Sequence, residues 1–125
     1  MPRWMPLALT LALLSSGCAA PSAAEIAKAD YGAMPSDPEG VIKGWFESRL
    51  KDPFTAVYEF GAVEKAWRKA WRWSAPTYGW RTMVRVNARN SFGGYTGFKT
   101  YLFMLRGDQV AWVGEETHGR FWSAQ

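Results

Sequence analysis

Residues 78–89 constrain the fold most strongly, because their side chains alternate between two faces with the period of a β-strand. Trp80, Thr82 and Val84 belong to the apolar series, and Val86 and Ala88 continue it. The intervening positions are Arg81, Met83, Arg85, Asn87 and Arg89. The alternation predicts a strand with one face in a core and the other carrying three arginines.

Residues 98–106 follow this strand after a glycine-rich connection and are apolar on both faces over residues 101–105, as expected of a central strand. Gly107 and Asp108 then favour a tight turn into a further strand at residues 110–115, which completes a hairpin. Residues 54–60 are rich in Thr, Val, Tyr and Phe and predict an earlier strand. Part of the tail, residues 116–125, is expected to pack on the domain.

The segment at residues 36–51 has the start and stop signals of a helix. Ser36 or Asp37 can cap it, Pro38 suits the first turn, and Glu39 would complete a capping box with Ser36. Apolar residues then recur at helical spacing: Ile42, Trp45, Phe46 and Leu50. Residues 62–72 also show helical spacing and predict a second helix, although a strand remains an alternative because Trp favours sheets.

These elements together predict the α+β class, with an antiparallel β-meander of about four strands and one or two helices packed to one side. A chain of 125 residues with 48% hydrophobic residues can bury one modest core. We therefore expect a single small domain at residues 36–125. The formal charge of +4 is mildly basic and lacks the dense Lys/Arg runs of a nucleic-acid binder.

The first residues have the composition of an export signal. Arg3 precedes an apolar run at residues 7–14, which is too short to span a bilayer core of ~30 Å. The sequence Ser15-Ser16-Gly17-Cys18 follows and contains the only cysteine. This order resembles a bacterial lipoprotein signal, which implies cleavage of residues 1–17 and attachment of diacylglycerol and a further acyl chain such as palmitate to Cys18.

The same resemblance implies a location. Ala19 follows the cysteine rather than Asp, which in lipoproteins of Gram-negative bacteria directs the protein to the outer membrane, with the domain expected in the periplasm. Two or more acyl chains anchor a protein durably. Residues 18–35 are rich in Ala, Ser and Pro and predict a lipidated flexible tether, with docking through Ile26 and Tyr31 as the alternative.

A second resemblance lies in the body of the chain. Residues 51–56, Lys-Asp-Pro-Phe-Thr-Ala, and the run Asn-Ser-Phe-Gly-Gly-Tyr-Thr-Gly at residues 90–97 are similar to a recurrent pattern in small proteobacterial lipoproteins of uncharacterised function. The resemblance implies a shared fold and an envelope location. It brings no catalytic residues with it.

The candidate binding residues are Arg81, Arg85, Arg89, Phe92 and Tyr95. Guanidinium groups bind phosphate or carboxylate, so the arginines could meet anionic headgroups, lipopolysaccharide or a protein partner. Ion pairs with Glu59 or Glu64 on a solvated sheet face are the simpler interpretation. Likewise, the loop glycines either expose backbone N–H groups to a ligand beside Tyr95 or build a wide turn that Asn87 and Asn90 stabilise.

Catalytic and metal-binding patterns are sparse. His118 is the only histidine, and Cys18, once lipidated, has no free thiol. We expect no enzyme, no cofactor, no metal and no nucleic-acid partner. The expected function is a non-catalytic interaction or accessory module in the bacterial envelope, anchored in the outer membrane through Cys18 and binding an envelope protein. The alternative is a saccharide-binding module for cell-wall polymer, either peptidoglycan or lipopolysaccharide, with Phe92, Tyr95 and exposed tryptophans as stacking platforms.

Overall fold

A computed structural model describes residues Ala20 to Ala124. Its α+β fold is an antiparallel sheet with two helices, α1 (Ala23–Lys28) and α2 (Pro38–Glu47). The strands of the described chain are β1 (Asp52–Phe60), β2 (Glu64–Arg68), β3 (Thr77–Arg89), β4 (Lys99–Arg106), β5 (Gln109–Thr117) and β6 (Arg120–Ser123). The expectation of about four strands was therefore too low.

The long strand β3 organises the sheet, whose order is β1-β3-β4-β5-β6. The second half of β3 pairs with β1, placing Phe60 opposite Val84, while its first half pairs with β2, placing Arg68 opposite Thr77. Consequently β1 and β2 lie end to end along one edge of β3. The tail contributes β6, which pairs with β5 and continues the meander.

The expected helix at residues 62–72 is wrong, and the strand alternative is correct for β2. Trp67 and Trp71 would lie on the buried side of such a helix, yet both are exposed, and Ala66 is the buried residue. The free edge of β3 offers backbone hydrogen-bond partners to this segment, and aromatic residues favour a pleated surface. Tertiary pairing thus overrides the helical spacing.

Helix α2 covers one face of the sheet, which we call the covered face. Asp37 caps the helix by accepting a hydrogen bond from the Gly40 amide at 3.0 Å, whereas Ser36 bonds to Asp108 instead of forming the expected capping box. The helix ends at Glu47, before the predicted residue 51. The core between helix and sheet consists of Ile42, Phe46, Val84, Val86, Tyr101, Phe103, Leu105 and Val113.

Residues 29–35, within the segment where a flexible tether was expected, are packed against the domain, in line with the alternative of docking through Tyr31. Tyr31 is only 8% exposed and donates its hydroxyl hydrogen bond to the Ile26 carbonyl at 2.8 Å. The indole of Trp80 donates to Gly32, and the guanidinium of Arg106 donates to the Asp30 carbonyl. These side chains come from β3 and β4, so the choice between a free tether and docking depends on residues far away in the chain.

The strand pairings and core side chains named above all lie between Tyr31 and Ala124. Hydrogen bonds from the hydroxyl of Ser36 and the amides of Ser36 and Asp37 hold the pKa of Asp108 below its ordinary value. This carboxylate therefore joins the start of α2 to the β4–β5 turn. All of these contacts lie within residues 20–124.

Candidate functional site

The three predicted arginines lie on the face of the sheet opposite α2, which we call the open face. Arg81, Arg85 and Arg89 lie at every fourth position of β3 and so on the same face, about 13 Å apart along the strand. Their side chains are exposed. The sequence alternation therefore placed these residues on one face correctly.

Two of the arginines are ion-paired with the neighbouring edge strands. Arg81 binds Glu64 of β2 at 2.7 Å, and Arg85 binds Glu59 of β1. Each glutamate lies directly opposite its arginine in the strand register, where opposite charges attract across the sheet. Both pairs are half-exposed, so they contribute little stability but balance most of the positive charge of the stripe. This matches the simpler interpretation of the arginine face.

The glycine-rich loop at residues 90–98 is held by its two asparagines, as the turn interpretation predicts. The Asn90 side chain accepts hydrogen bonds from the amides of Phe92 and Gly94, and the Asn87 side chain accepts one from Gly97. Gly97 has φ +92°, a conformation that L side chains rarely adopt. The loop is therefore a built turn.

Phe92 and Tyr95 have different environments and do not form a matched aromatic pair. The Phe92 side chain is 96% exposed at the loop. The Tyr95 hydroxyl instead donates to the Thr55 carbonyl at 3.0 Å, and the Arg89 guanidinium lies 5.2 Å from the centre of its ring. Tyr95 thus fastens the loop to β1, while Phe92 is available for contact.

An exposed apolar strip crosses the open face between the two ion pairs. Met83 of β3 is 48% exposed and lies opposite Leu102 of β4. Phe121 and Leu102 line, with Met83, a shallow cavity of about 300 Å³ that Arg81 and Glu64 border. Val57 is a further exposed residue of this face. An apolar centre beside ionised side chains is the composition of a transient protein interface.

Another part of the open face is covered by Trp112 of β5. The indole of Trp112 lies over Gly114, where a Cβ atom would overlap the ring. The Arg68 guanidinium stacks 4.1 Å from the centre of the Trp112 ring, and burial lowers the pKa of Arg68. Sequence reasoning missed this cluster, although Gly114 within an apolar strand was a local sign of close approach.

A second cleft, of about 220 Å³, lies at the loop end of the molecule and is lined by several cations. Its basic residues come from the α2–β1 connection and the two ends of the loop: Arg49, Lys51, Arg89 and Lys99. The Lys99 ammonium is also 3.9 Å from Glu115. Such a cleft can attract an anionic group, and the sequence did not reveal it because its residues are far apart in the chain.

Potential metal-ligand side chains do not cluster in the described part of the chain. Between residues 20 and 124, no group of three His, Cys, Asp or Glu residues could hold a metal ion. His118 has φ 54° in the turn before β6. No helix within the same residues is long and apolar enough to cross a membrane. The predicted lipidation site, Cys18, lies outside the described residues.

No family model, curated protein or solved structure matches the chain.

Proposed function

We propose that the protein is a non-catalytic interaction module of the bacterial envelope, anchored to the outer membrane by lipid on Cys18, and that it binds a protein partner through its open face. The anchor is supported by the resemblance of residues 1–18 to a lipoprotein signal. The partner site is supported by the one-sided cover of the sheet. In the described chain α2 packs on one face only, and Met83 remains half-exposed at the centre of the other.

The observation that carries the proposal is the apolar strip between two ion pairs. Burying Met83 and Leu102 against an apolar surface would stabilise the complex by about 25 cal/mol per Å² of apolar area removed from water. The paired charges of Arg81–Glu64 and Arg85–Glu59 can exchange partners at the rim, which favours orientation and selectivity. A strip of this size supports a transient complex rather than a permanent one.

Photo-crosslinking in intact cells tests the partner site. A photo-reactive amino acid is placed at position 83, and at position 34 as a control, because Met34 is also an exposed methionine but lies outside the open face. We expect a defined protein adduct from position 83 only. Met83→Asp, compared with Met34→Asp, should abolish the adduct formed from a second reporter at position 57. Equal adducts from positions 83 and 34, or an adduct unchanged by Met83→Asp, would contradict the partner site.

Membrane fractionation tests the anchor separately. Cys18→Ser removes the thiol that the lipid would modify and should move the protein out of the membrane fraction. Cys18→Ser protein that is still cleaved before residue 18 and remains equally membrane-bound after a carbonate wash would contradict a role for Cys18. Mass measurement of the mature wild-type protein provides the direct readout of two or more acyl chains.

A saccharide-binding function is the second candidate, and one observation favours it. Phe92 presents an almost fully exposed ring beside the loop whose ends contribute Arg89 and Lys99 to the cationic cleft. Such a surface could stack on a sugar ring and attract a phosphate or carboxylate of lipopolysaccharide or peptidoglycan. Sedimentation with isolated cell-wall polymer tests this candidate, and binding should disappear in Phe92→Ala and in Tyr95→Ala but persist in Phe54→Ala. Failure to bind either polymer would refute it.

A further inference from the structure

The β2–β3 connection, residues 69–76, is the most unusual exposed surface of the domain. It presents the side chains of Trp71 and Trp73, which are 62% and 59% exposed. Trp67, at the end of β2, is also at the surface. Tryptophan side chains are large and normally bury most of their area in a core or an interface. Three of them at one end of a small sheet therefore indicate a binding surface.

The charge of this segment has a single sign. Residues 65–76 contain Lys65, Arg68, Lys69 and Arg72 and no Asp or Glu. The Arg72 guanidinium lies 5.7 Å from the centre of the Trp73 ring, so a cation accompanies an exposed indole. A partner for this surface must accept apolar rings and positive charge together. The headgroup region of an anionic bilayer has this chemistry, because Trp concentrates at the water interface and Lys or Arg attracts acidic lipids.

Hydrogen bonds within the β2–β3 connection hold it in a defined conformation. The Ser74 hydroxyl accepts a hydrogen bond from the Trp71 amide at 3.2 Å and donates one to the Trp71 carbonyl at 2.8 Å. The Lys69 ammonium donates to the Arg72 carbonyl at 3.5 Å. These bonds satisfy the turn backbone within the segment and leave both indoles directed away from the core. Little ordering is then required when the loop meets a surface.

The position of α1 relates this loop to the start of the chain. Ile26 and Ala27 of α1 line a cavity with Lys65 and Trp67 of β2. Hydrogen bonds with Ser22 lower the pKa of Glu25, and the positive charge of Lys69 adds a smaller effect in the same direction. The chain therefore enters the described unit beside the tryptophan-rich end. A membrane that held the chain near residue 18 would face this end of the sheet.

We propose that residues 67–73 are a membrane-contact surface that binds the headgroup region of an anionic bilayer. Trp71 and Trp73 insert among the headgroups, and Arg72 meets lipid phosphates. This contact does not depend on the protein-binding role of the open face, and it does not require lipid on Cys18. It adds to the proposed anchor a second contact that orients the domain and leaves Met83, on the sheet face, accessible.

Vesicle sedimentation with residues 19–125, which include every described residue and omit Cys18, tests the proposal. The vesicles contain phosphatidylethanolamine with or without phosphatidylglycerol. We expect binding to the phosphatidylglycerol vesicles that weakens at least tenfold in the double variant Trp71→Ala/Trp73→Ala. Arg72→Gln should reduce binding severalfold and lower its sensitivity to salt. The matched control is Phe54→Ala, which removes a ring that is 96% exposed elsewhere and should bind normally.

Thermal unfolding of each variant establishes that the folded state is retained, as expected for exposed side chains. No binding of the wild-type chain to anionic vesicles, or equal binding by the Trp71→Ala/Trp73→Ala variant, would overturn the proposal. Loss of binding in the phenylalanine control would also overturn it, because any exposed ring would then suffice. Met83→Asp should leave vesicle binding unchanged, so failure of the partner site and failure of this surface are separate results.

Discussion

The substitution Phe46→Ala tests whether α2 and the sheet share one core. Phe46 is 1% exposed, and its ring centre lies 5.0 Å from that of Tyr101, 5.6 Å from that of Phe103 and 5.8 Å from that of Tyr58. Truncating a buried Phe removes its transfer free energy and leaves a cavity, at a combined cost of roughly 3–5 kcal/mol. The surrounding rings are carried by β1 and β4, which cannot readily close the gap. We therefore expect the upper half of that range.

The size of the effect makes it measurable by urea unfolding. For about 100 residues, the unfolding entropy near the midpoint is roughly 0.2 kcal/mol/K, so a loss of about 4 kcal/mol lowers the Tm by roughly 20 °C. The urea midpoint should fall without a change in the m-value. Phe92→Ala is the matched control, because the same atoms are removed from a side chain that is 96% exposed, and its free energy of unfolding should change by less than about 0.5 kcal/mol.

The reasoning would be refuted by a Phe46→Ala loss below about 1.5 kcal/mol, or by an equal loss in Phe92→Ala. The first result would mean that α2 is not packed on the sheet as described. The second would mean that the glycine-rich loop carries stabilising contacts of its own. The first outcome would also remove the basis for distinguishing the covered face from the open face.

Three further predictions concern a strand, a turn and a loop. Gly114→Ala would force a methyl group into the ring of Trp112 and should destabilise the folded state by about 1–3 kcal/mol. Gly44→Ala, with open space around it in α2, should instead stabilise the folded state by about 0.5–1 kcal/mol. A higher urea midpoint in both variants would contradict this difference. The pKa of Asp108 is lowered on folding, so the ionised carboxylate stabilises the folded state above its ordinary pKa, and this stabilisation is lost as pH falls through the folded value. Asp108→Asn should therefore flatten the acid side of the curve of unfolding free energy against pH. An unchanged curve would refute this. Tyr95→Phe should speed amide hydrogen exchange in the loop with a small global effect, and unchanged loop exchange would show that its hydroxyl does not fasten the loop.

Local signals predicted the parts of the fold that depend on one segment at a time. The cap, the proline and the apolar spacing of α2 placed Ile42 and Phe46 in the core, because a helix buries one stripe whatever it packs against. The alternation of β3 likewise placed Arg81 and Met83 on one face. The spacing of residues 62–72 misled for the converse reason, since a free edge beside β3 competed with local preference.

The candidate site divides in the same way. The stripe of arginines follows from the period of a strand, whereas the pairing of Arg85 with Glu59 depends on the register of β1 against β3. The turn around Asn90 was predictable from its glycines and asparagines. The bond from Tyr95 to Thr55 joins residues forty positions apart, and only the packed chain brings them together.

By itself, the sequence determined the class of the fold, the helix on the covered face and the arginine face of β3, because these follow from side-chain periodicity and caps within single segments. Only the tertiary structure decided that two strands share one edge of β3, that residues 29–35 dock, and that Trp71 and Trp73 stay at the surface. Those outcomes depend on which backbone groups and apolar faces are still unpaired when the segments meet. That competition for partners acts between distant residues and leaves no mark in any one of them.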